Sequence, residues 1–394
     1  MKITTDNTPQ GKVTPLGIIP NEWKILPLQK VGKIYSGGTP DTKEPSYWNG
    51  DILWCTPSDI TKLKTRFITN TNQKITQLGL KNSSATLLPP GCILVCTRAT
   101  IGNAAITLKE TSTNQGFKNI KPTKDINVDW LFYCIASNKH RLVQLGGGST
   151  FLEVSKKDFE KFKIAIPPLP EQQKIAEIIN TWDKFIEKQL QLIEKLELRK
   201  KGLMQQLLTS KRRLPGFSDS WKKVKLGDIC SIKKGKTLSS SQVKDGIYPV
   251  IAGGKTIPYF HNEYTDQNVI TISASGAYAG YVSLHENKIW ASDCSVISIS
   301  GKNSILRFIY ALLSHKQSYI YSLQIGGAQP HVFPKDIAKI NLCVPTKEEQ
   351  IVIAEVLTAA DREIELAQQK LELLRQQKHG LMQQLLTGKK RVKY

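Results

Sequence analysis

No apolar run in the sequence approaches the ~20 residues that a membrane-spanning helix needs. The opening residues, MKITTDNTPQGKVTP, lack the apolar centre of a secretory signal. Both absences predict a cytoplasmic protein with no membrane partner. The seven cysteines (Cys55, Cys92, Cys96, Cys134, Cys230, Cys294 and Cys343) include no CxxC pair, and the six histidines follow neither HExxH nor a Cys/His ligand spacing. That argues against zinc sites and disulfide frameworks. Cys92 and Cys96 flank CILVC, where period-two alternation puts them on one strand face as small buried residues. No GxxxxGK[ST] occurs; IAGGKT ends like a phosphate loop, but Pro249 stands where its first glycine is required. Also missing are the [ND]PP[YFW] of an amino-methyltransferase, a glycine-rich cofactor loop after a strand, a nuclease-like Asp…Glu-x-Lys set and a nucleophile elbow. Together these absences describe a binder, with no catalytic residue, metal or cofactor of its own.

Acidic residues are few, 33 against 55 basic, for a net charge of +22 on 394 residues. Such a balance speaks to partners, and a polyanion such as nucleic acid fits it. With 40% hydrophobic residues the chain reads as globular, and its length suits two or three domains.

The sequence says one thing twice. GLMQQLLT occurs at 202–209 and again at 380–387, an offset of 178. The same offset pairs EQQKIAEII from Glu171 with EQIVIAEVL from Glu349, KIAIPPLP with NLCVPTKE, WLF at 130–132 with FIY at 308–310, and Gly102 with Gly280. Near the start of each half the offset becomes 198, pairing Trp23 with Trp221. The first copy therefore holds about 20 extra residues between Lys33 and Ile93. The chain is read as a tandem of one unit, a globular head followed by a long helix.

A heptad frame starting at Ile175 puts Ile175, Trp182, Gln189, Leu196 and Leu203 at a, and Ile179, Ile186, Ile193, Lys200 and Leu207 at d. The second copy, starting at Ile353, has Ala360, Ala367, Leu374 and Leu381 at its other a positions and Leu357, Ile364, Leu371, Lys378 and Leu385 at d. The one d-position lysine recurs in the same slot. This pattern predicts a coiled coil. Each helix of about 38 residues is about 57 Å long. A head of some 125 residues, with a radius of gyration near ~14 Å, reaches back across that length only with difficulty. An antiparallel pair needs no such reach and predicts two heads at opposite poles of a bar. Trp182 is expected in its core.

The boundaries predicted are 1–166 for the first head, 167–210 for the first helix, 211–344 for the second head, and 345–394 for the second helix with a basic tail. The fold class is α+β, two mixed α/β heads separated by an antiparallel two-helix coiled coil. In head one DILWC, CILVCT, NAAITL and KFKIAIP are expected strands, and 127–145 a buried helix. NVITIS, GYVSL, SVISIS and KINLCVP, with a helix near 304–323, repeat this in head two.

These motifs resemble, over essentially the whole chain, the specificity subunit of type I restriction–modification systems. The paired helix starts PPLPEQQKIAEII and KEEQIVIAEVL carry the likeness, with LRKKGLMQQLLTSKRRLPGF and RQQKHGLMQQLLTGKKR at the helix ends. Head one adds SGGTP, YWNGDILWCTPSDI and TNQGF, which are typical of target-recognition domains, and WKKVKLGDICSIKKGK opens head two. Head two lacks SGGTP and YWNG and has ASDCS in place of TNQGF, so its target would differ. The resemblance implies a non-catalytic subunit. Each head would bind one half of a bipartite, asymmetric double-stranded DNA site, and the helical bar would set the unread gap. It also implies two adenine-N6 methylation subunits docked on the helices and, through them, two translocating nuclease subunits. S-adenosylmethionine, ATP and Mg2+ would then belong to those partners. The alternative reading is a basic coiled-coil scaffold indifferent to DNA sequence.

Phosphate contacts call for Lys and Arg, and base edges for short polar groups and Arg. In head one the candidates are Thr39, Lys43, Ser58, Lys62, Lys64, Arg66, Arg98, Asn114, Gln115 and Thr150. In head two they are Lys234, Lys236, Lys255, Ser275, Tyr278, Ser292, Gln329 and His331. Arg98 lies on a strand–turn–strand, where it is either a groove-entering arginine or an ordinary turn residue. Asn114 and Gln115 either read bases or cap a turn, and His331 is a reader or loop surface. The tails SKRR and GKKRVKY are either solvated charge or phosphate ligands. From the resemblance alone, the outer helix faces at Glu171, Gln172, Glu349 and Gln350 would dock the methylation subunits.

Overall fold

The computed structural model describes residues 11–147 and 152–393. The chain divides into two compact units, 1–188 with 371–394, and 189–370. Each holds one head together with parts of both long helices.

In the first unit a five-stranded sheet runs in the order Gly32–Ser36, Phe117–Pro122, Ile93–Cys96, Ala104–Thr107, Phe67–Ile68. Beside it Thr111–Thr113 runs parallel to Trp48–Cys55, which pairs antiparallel with Gln73–Ile75. Lys24–Pro27 pairs with Lys163–Ile166, the strand that leads into the first long helix. Ile93–Cys96 is a continuous apolar run buried on both faces, as a central strand requires. Cys92 and Cys96 pack in one cluster with Leu94, Phe117 and Leu88.

The second unit repeats the plan with fewer parts. Its main sheet is Cys230–Lys234, Cys294–Ile299, Val269–Ser273, Val282–His285. Trp290–Ala291 runs parallel to Tyr248–Ile251, as Thr111–Thr113 does to Trp48–Cys55. Among the described residues, head two has no counterpart of the head-one helices Pro57–Thr61 and Gln77–Lys81 or of the strand Phe67–Ile68. The extra residues of the first copy are these elements.

The expected helix over 127–145 is two helices, Val128–Ser137 and Lys139–Gln144. The break is Asn138, whose backbone leaves helical geometry (ψ 13°) while its amide donates to the Cys134 carbonyl at 2.8 Å. Head two breaks at the equivalent Lys316, between Leu306–His315 and Gln317–Ser322. After the bend the second piece still buries one residue in its head's core, Leu142 in head one and Ile320 in head two.

The long helices are Leu169–Leu207 and Lys347–Leu385. None of the twenty a and d positions is exposed. The pairing is antiparallel within each unit. In the first, Glu171 accepts from Arg391 and Asp183 from Lys378, so the partner's number falls as the first helix advances. In the second, Gln189 donates to the Ala367 carbonyl at 2.9 Å, Lys200 pairs with Asp361 and Arg213 with Glu349. The recurring d-position lysines thus meet recurring aspartates, and Gln189 meets its own repeat equivalent. Trp182 is half-buried, edge-on to an exposed Phe185 with ring centroids 6.4 Å apart.

The repeated GLMQQLLT now has a local meaning. Leu207 and Leu208 at its first occurrence are buried in the core of head two, with Phe308, Ile353 and Leu357. Leu385 and Leu386 at its second are buried in the core of head one, with Trp23, Trp130, Ile175 and Ile179. Each motif closes a head's core against the start of the other helix, so both copies need the same apolar end.

Candidate nucleic-acid interface

In head one, four loops converge where the parallel strands Trp48–Cys55 and Thr111–Thr113 end. The Gly38 amide donates to the Thr113 carbonyl at 2.9 Å, Asn114 to Cys55 at 3.1 Å, and Thr97 to Gly116 at 2.7 Å. The approach demands glycine at 37, where a Cβ would lie 1.8 Å from the Asn114 carbonyl oxygen. On this platform the Thr39 hydroxyl donates to Gln115 Oε1, and Ser58 Oγ lies 2.8 Å from Thr56 Oγ1. Asn114 Oδ1 accepts from the Gly116 amide at 3.0 Å, so Asn114 does cap its turn, while Gln115 stays exposed.

Arg98 projects from the neighbouring turn and pairs with Glu153 at 2.6 Å; its side chain is 46% exposed. Ala99 follows with φ 56°, a left-handed conformation that costs an alanine about 1 kcal/mol. Lys118 is buried 3.8 Å from the other Glu153 oxygen, and burial lowers the pKa of its ammonium against the pull of that carboxylate.

Head two builds the equivalent cluster from other groups. Ser275 bridges to His331 as Arg98 bridges to Glu153, and 331 is 153 plus 178. The Ser275 hydroxyl donates to Asp293, the repeat equivalent of Gln115. Gly276, at φ 81°, takes the left-handed place that Ala99 fills in head one. The turn from Ser273 to Gly280 is one residue longer than that from Cys96 to Gly102, so the register between Gly102 and Gly280 shifts by one within the turn. Lys255 sits over Tyr278 at 5.0 Å and Tyr281 at 5.1 Å. Lys236 lies 5.1 Å over Trp290, and Lys234 and Gln329 are exposed. His331 is half-buried and stacks on Phe333 at 6.2 Å.

Several expected site residues lie elsewhere. Arg66 is no free cation: it donates to Asp129 at 2.9 Å, reaches Asp183 at 3.8 Å and covers the Phe67 ring at 4.3 Å, all inside the first unit. Ser292 is 4% exposed and accepts from the Leu238 amide at 3.1 Å, so it braces the strand end behind the site. Lys43, Lys62 and Lys64 are exposed on flanking loops. Thr150 lies outside the described residues.

Glu171, Gln172, Glu349 and Gln350, expected on outward faces, are at most 1% exposed. Gln172 accepts from the Asn127 amide at 2.8 Å and donates to the Pro167 and Asp125 carbonyls; Gln350 repeats this with Ile305, Pro345 and Asn303. Glu171 accepts two bonds from Arg391 and one from Trp23 Nε1, and Glu349 accepts two from Arg213. These residues knit head to helix and have no free surface. Two of the tail arginines are therefore committed to buried carboxylates, because an ionised group at that depth needs a paired partner.

Glu153, Lys118 and Asp293 were missed. The 178-residue offset points to Glu153 from His331 and to Asp293 from Gln115; nothing in the sequence marks Lys118.

With two similar loop clusters in view, the comparisons are decisive. The family model described as the type I restriction modification DNA specificity domain matches residues 20–198 and 218–376. The chain belongs to this family. The specificity-domain match occurs once per repeat, taking in each head and most of the helix after it. The specificity subunit of the type I restriction enzyme MjaIX of Methanocaldococcus jannaschii is 32% identical over 246 residues, 59% of this chain and 57% of its own length. That of EcoprrI from Escherichia coli is 28% identical over 362 residues, 86% of this chain and 87% of its own. The solved S subunit of a type I restriction-modification system from M. genitalium shares the fold, with TM-score 0.60 at 17% identity over 94% of this chain and 98% of that one. Among the described residues, no helix is long and apolar enough to cross a membrane.

Proposed function

We propose that the chain is the DNA-recognition subunit of a type I restriction–modification complex and carries no chemistry itself. Each head binds one half of a bipartite, asymmetric site, and the helical pair sets the unread gap. Two adenine-N6 methylation subunits seat on the helices and carry two ATP-dependent translocating nuclease subunits. S-adenosylmethionine, ATP and Mg2+ are bound by those partners.

The observation that supports two different half-sites is the substitution of chemistry on one scaffold. Head one offers Arg98, Glu153 and Gln115 where head two offers Ser275, His331 and Asp293. An arginine pairs bidentately with guanine O6 and N7, and a carboxylate accepts from cytosine N4. Two unlike sets on one chain read an asymmetric site, whereas a homodimer of one set reads a palindrome. The net charge of +22 supplies phosphate attraction to both.

The experiment is binding of the assembled methyltransferase to a randomised duplex library, followed by sequencing. Wild type should enrich two unlike short sequences at a fixed separation. Arg98→Ala should relax one half-site by ~1–3 kcal/mol at one position and leave the other half unchanged. Equal weakening on all sequences would make Arg98 a phosphate ligand, and no enrichment at all would favour a sequence-indifferent scaffold.

A further inference from the structure

Glu153 in head one has two cations on one carboxylate. Arg98 pairs with one oxygen at 2.6 Å, and Lys118 Nζ lies 3.8 Å from the other. The two differ in access: the Arg98 side chain is 46% exposed and that of Lys118 only 8%. Glu153 is fixed by its backbone, which exchanges hydrogen bonds with Gly147 at 3.1 and 3.2 Å, and the next amide, Val154, donates to the Thr97 carbonyl at 3.0 Å. Lys156, a third cation nearby, pairs with Glu160 at 3.7 Å.

A lysine at this depth is costly. Burial weighs against its ammonium, Glu153 favours it, and Arg98 and Lys156 repel it. The sheet does not require it. In the ladder Lys118 stands between Ser36 and Val95. Head two has Ser295 in that place, between Lys234 and Ile272. Ser295 is 1% exposed, and its hydroxyl has no hydrogen-bond partner among the described residues. The bridged pair Arg98 and Glu153 is there Ser275 and His331. Lysine, carboxylate and arginine thus occur together in one head and are replaced together in the other.

In the free protein Arg98 already neutralises Glu153, so the second cation matters when the first leaves. Reading a base is such an event, because a guanidinium that forks onto guanine O6 and N7 turns donors away from its carboxylate. A carboxylate left facing a duplex without a counter-charge opposes binding. Resting on the reading of head one as a DNA reader, we propose that Lys118 is a positioning residue for base recognition: it keeps Glu153 neutralised and in place while Arg98 turns to the base. Lys118 does not itself touch DNA, since its buried side chain has almost no free surface.

The test measures, with the assembled methyltransferase, the ratio of affinities for two duplexes. One carries both selected half-sites; in the other the half-site that Arg98→Ala relaxes is scrambled. Lys118→Met, which keeps the apolar stem and drops the charge, should lower that ratio about tenfold, the scale of one hydrogen bond to a charged group. Affinity for the scrambled duplex and the melting temperature of the free chain should not fall, because Arg98 still pairs with Glu153 there. Adding Glu153→Gln, which keeps an acceptor oxygen and drops the charge, should restore the ratio. In an Arg98→Ala background, Lys118→Met should change it no further. Should Lys118→Met alone fail to fold, the double variant with Glu153→Gln decides: a ratio near wild type supports the role, and one as low as that of Arg98→Ala overturns it. An unchanged ratio in Lys118→Met, or equal loss on both duplexes, overturns the proposal and leaves DNA recognition standing. A wild-type ratio of one overturns recognition by head one, and this role with it.

Discussion

At the scale of single residues, the chemistry is set by what each charged or titratable group finds beside it. Arg98 and Arg66 are both turn-associated arginines of head one, yet one ends in an exposed pair with Glu153 and the other under a carboxylate pair. Only the first is free to exchange its partner for a base. His285 is a second case. It lies on the edge strand Val282–His285 with its Nε2 2.9 Å from Thr271 Oγ1, and burial holds its imidazole down at about 4. An unfolded chain takes up a proton near pH 6.5, whereas the folded head does so only near pH 4. Stability from this group is therefore full above pH 6.5 and falls as the pH drops towards 4, by up to about 3 kcal/mol. His285→Gln removes that dependence. Thermal melts from pH 7 to 4.5 should show a smaller drop in the variant than in the wild type, and parallel curves would refute the assignment.

At the scale of elements, the long helices are tied to the heads by buried acid–arginine clamps. Glu349 is 1% exposed and its guanidinium partner Arg213 is 25% exposed. Removing the arginine leaves a buried carboxylate without a counter-charge, which costs about 3 kcal/mol or somewhat more. Arg213→Ala should lower the urea midpoint accordingly, and adding Glu349→Gln should recover at least half of the loss, because a neutral amide is cheaper to bury. Arg391→Ala and Glu171→Gln should behave in the same way in the first unit. Additive losses in either double variant would mean that the clamp contributes nothing as a pair. The helices were legible from sequence because a heptad needs only local order: no predicted a or d residue is exposed. Their capping residues were not legible, since polar groups in a first helical turn are ordinarily solvated.

At the scale of the whole molecule, the proposed function makes the helical pair a ruler. Inserting one heptad into both helices lengthens an antiparallel pair by about 10 Å at ~1.5 Å per residue. The recognised gap should grow by about 3 base pairs at ~3.4 Å each, with both half-sites unchanged, as read by site selection with the assembled methyltransferase. An unchanged gap would refute the ruler while leaving recognition by each head intact. Inserting fewer than seven residues should instead turn a and d side chains out of the seam and cost stability before it alters spacing.

By itself, the sequence determined the duplication, the offset of 178, the helix seam and four strands of each head. All of these are periodic or repeated patterns, carried by neighbours in the chain. Only the tertiary structure decided the fate of the polar residues. Glu171 is claimed by Trp23 and Arg391, 148 and 220 positions away, and Glu349 by Arg213, 136 away. Whether a carboxylate faces solvent, a base or a buried arginine depends on which distant segment arrives beside it, and no local spacing encodes that arrival.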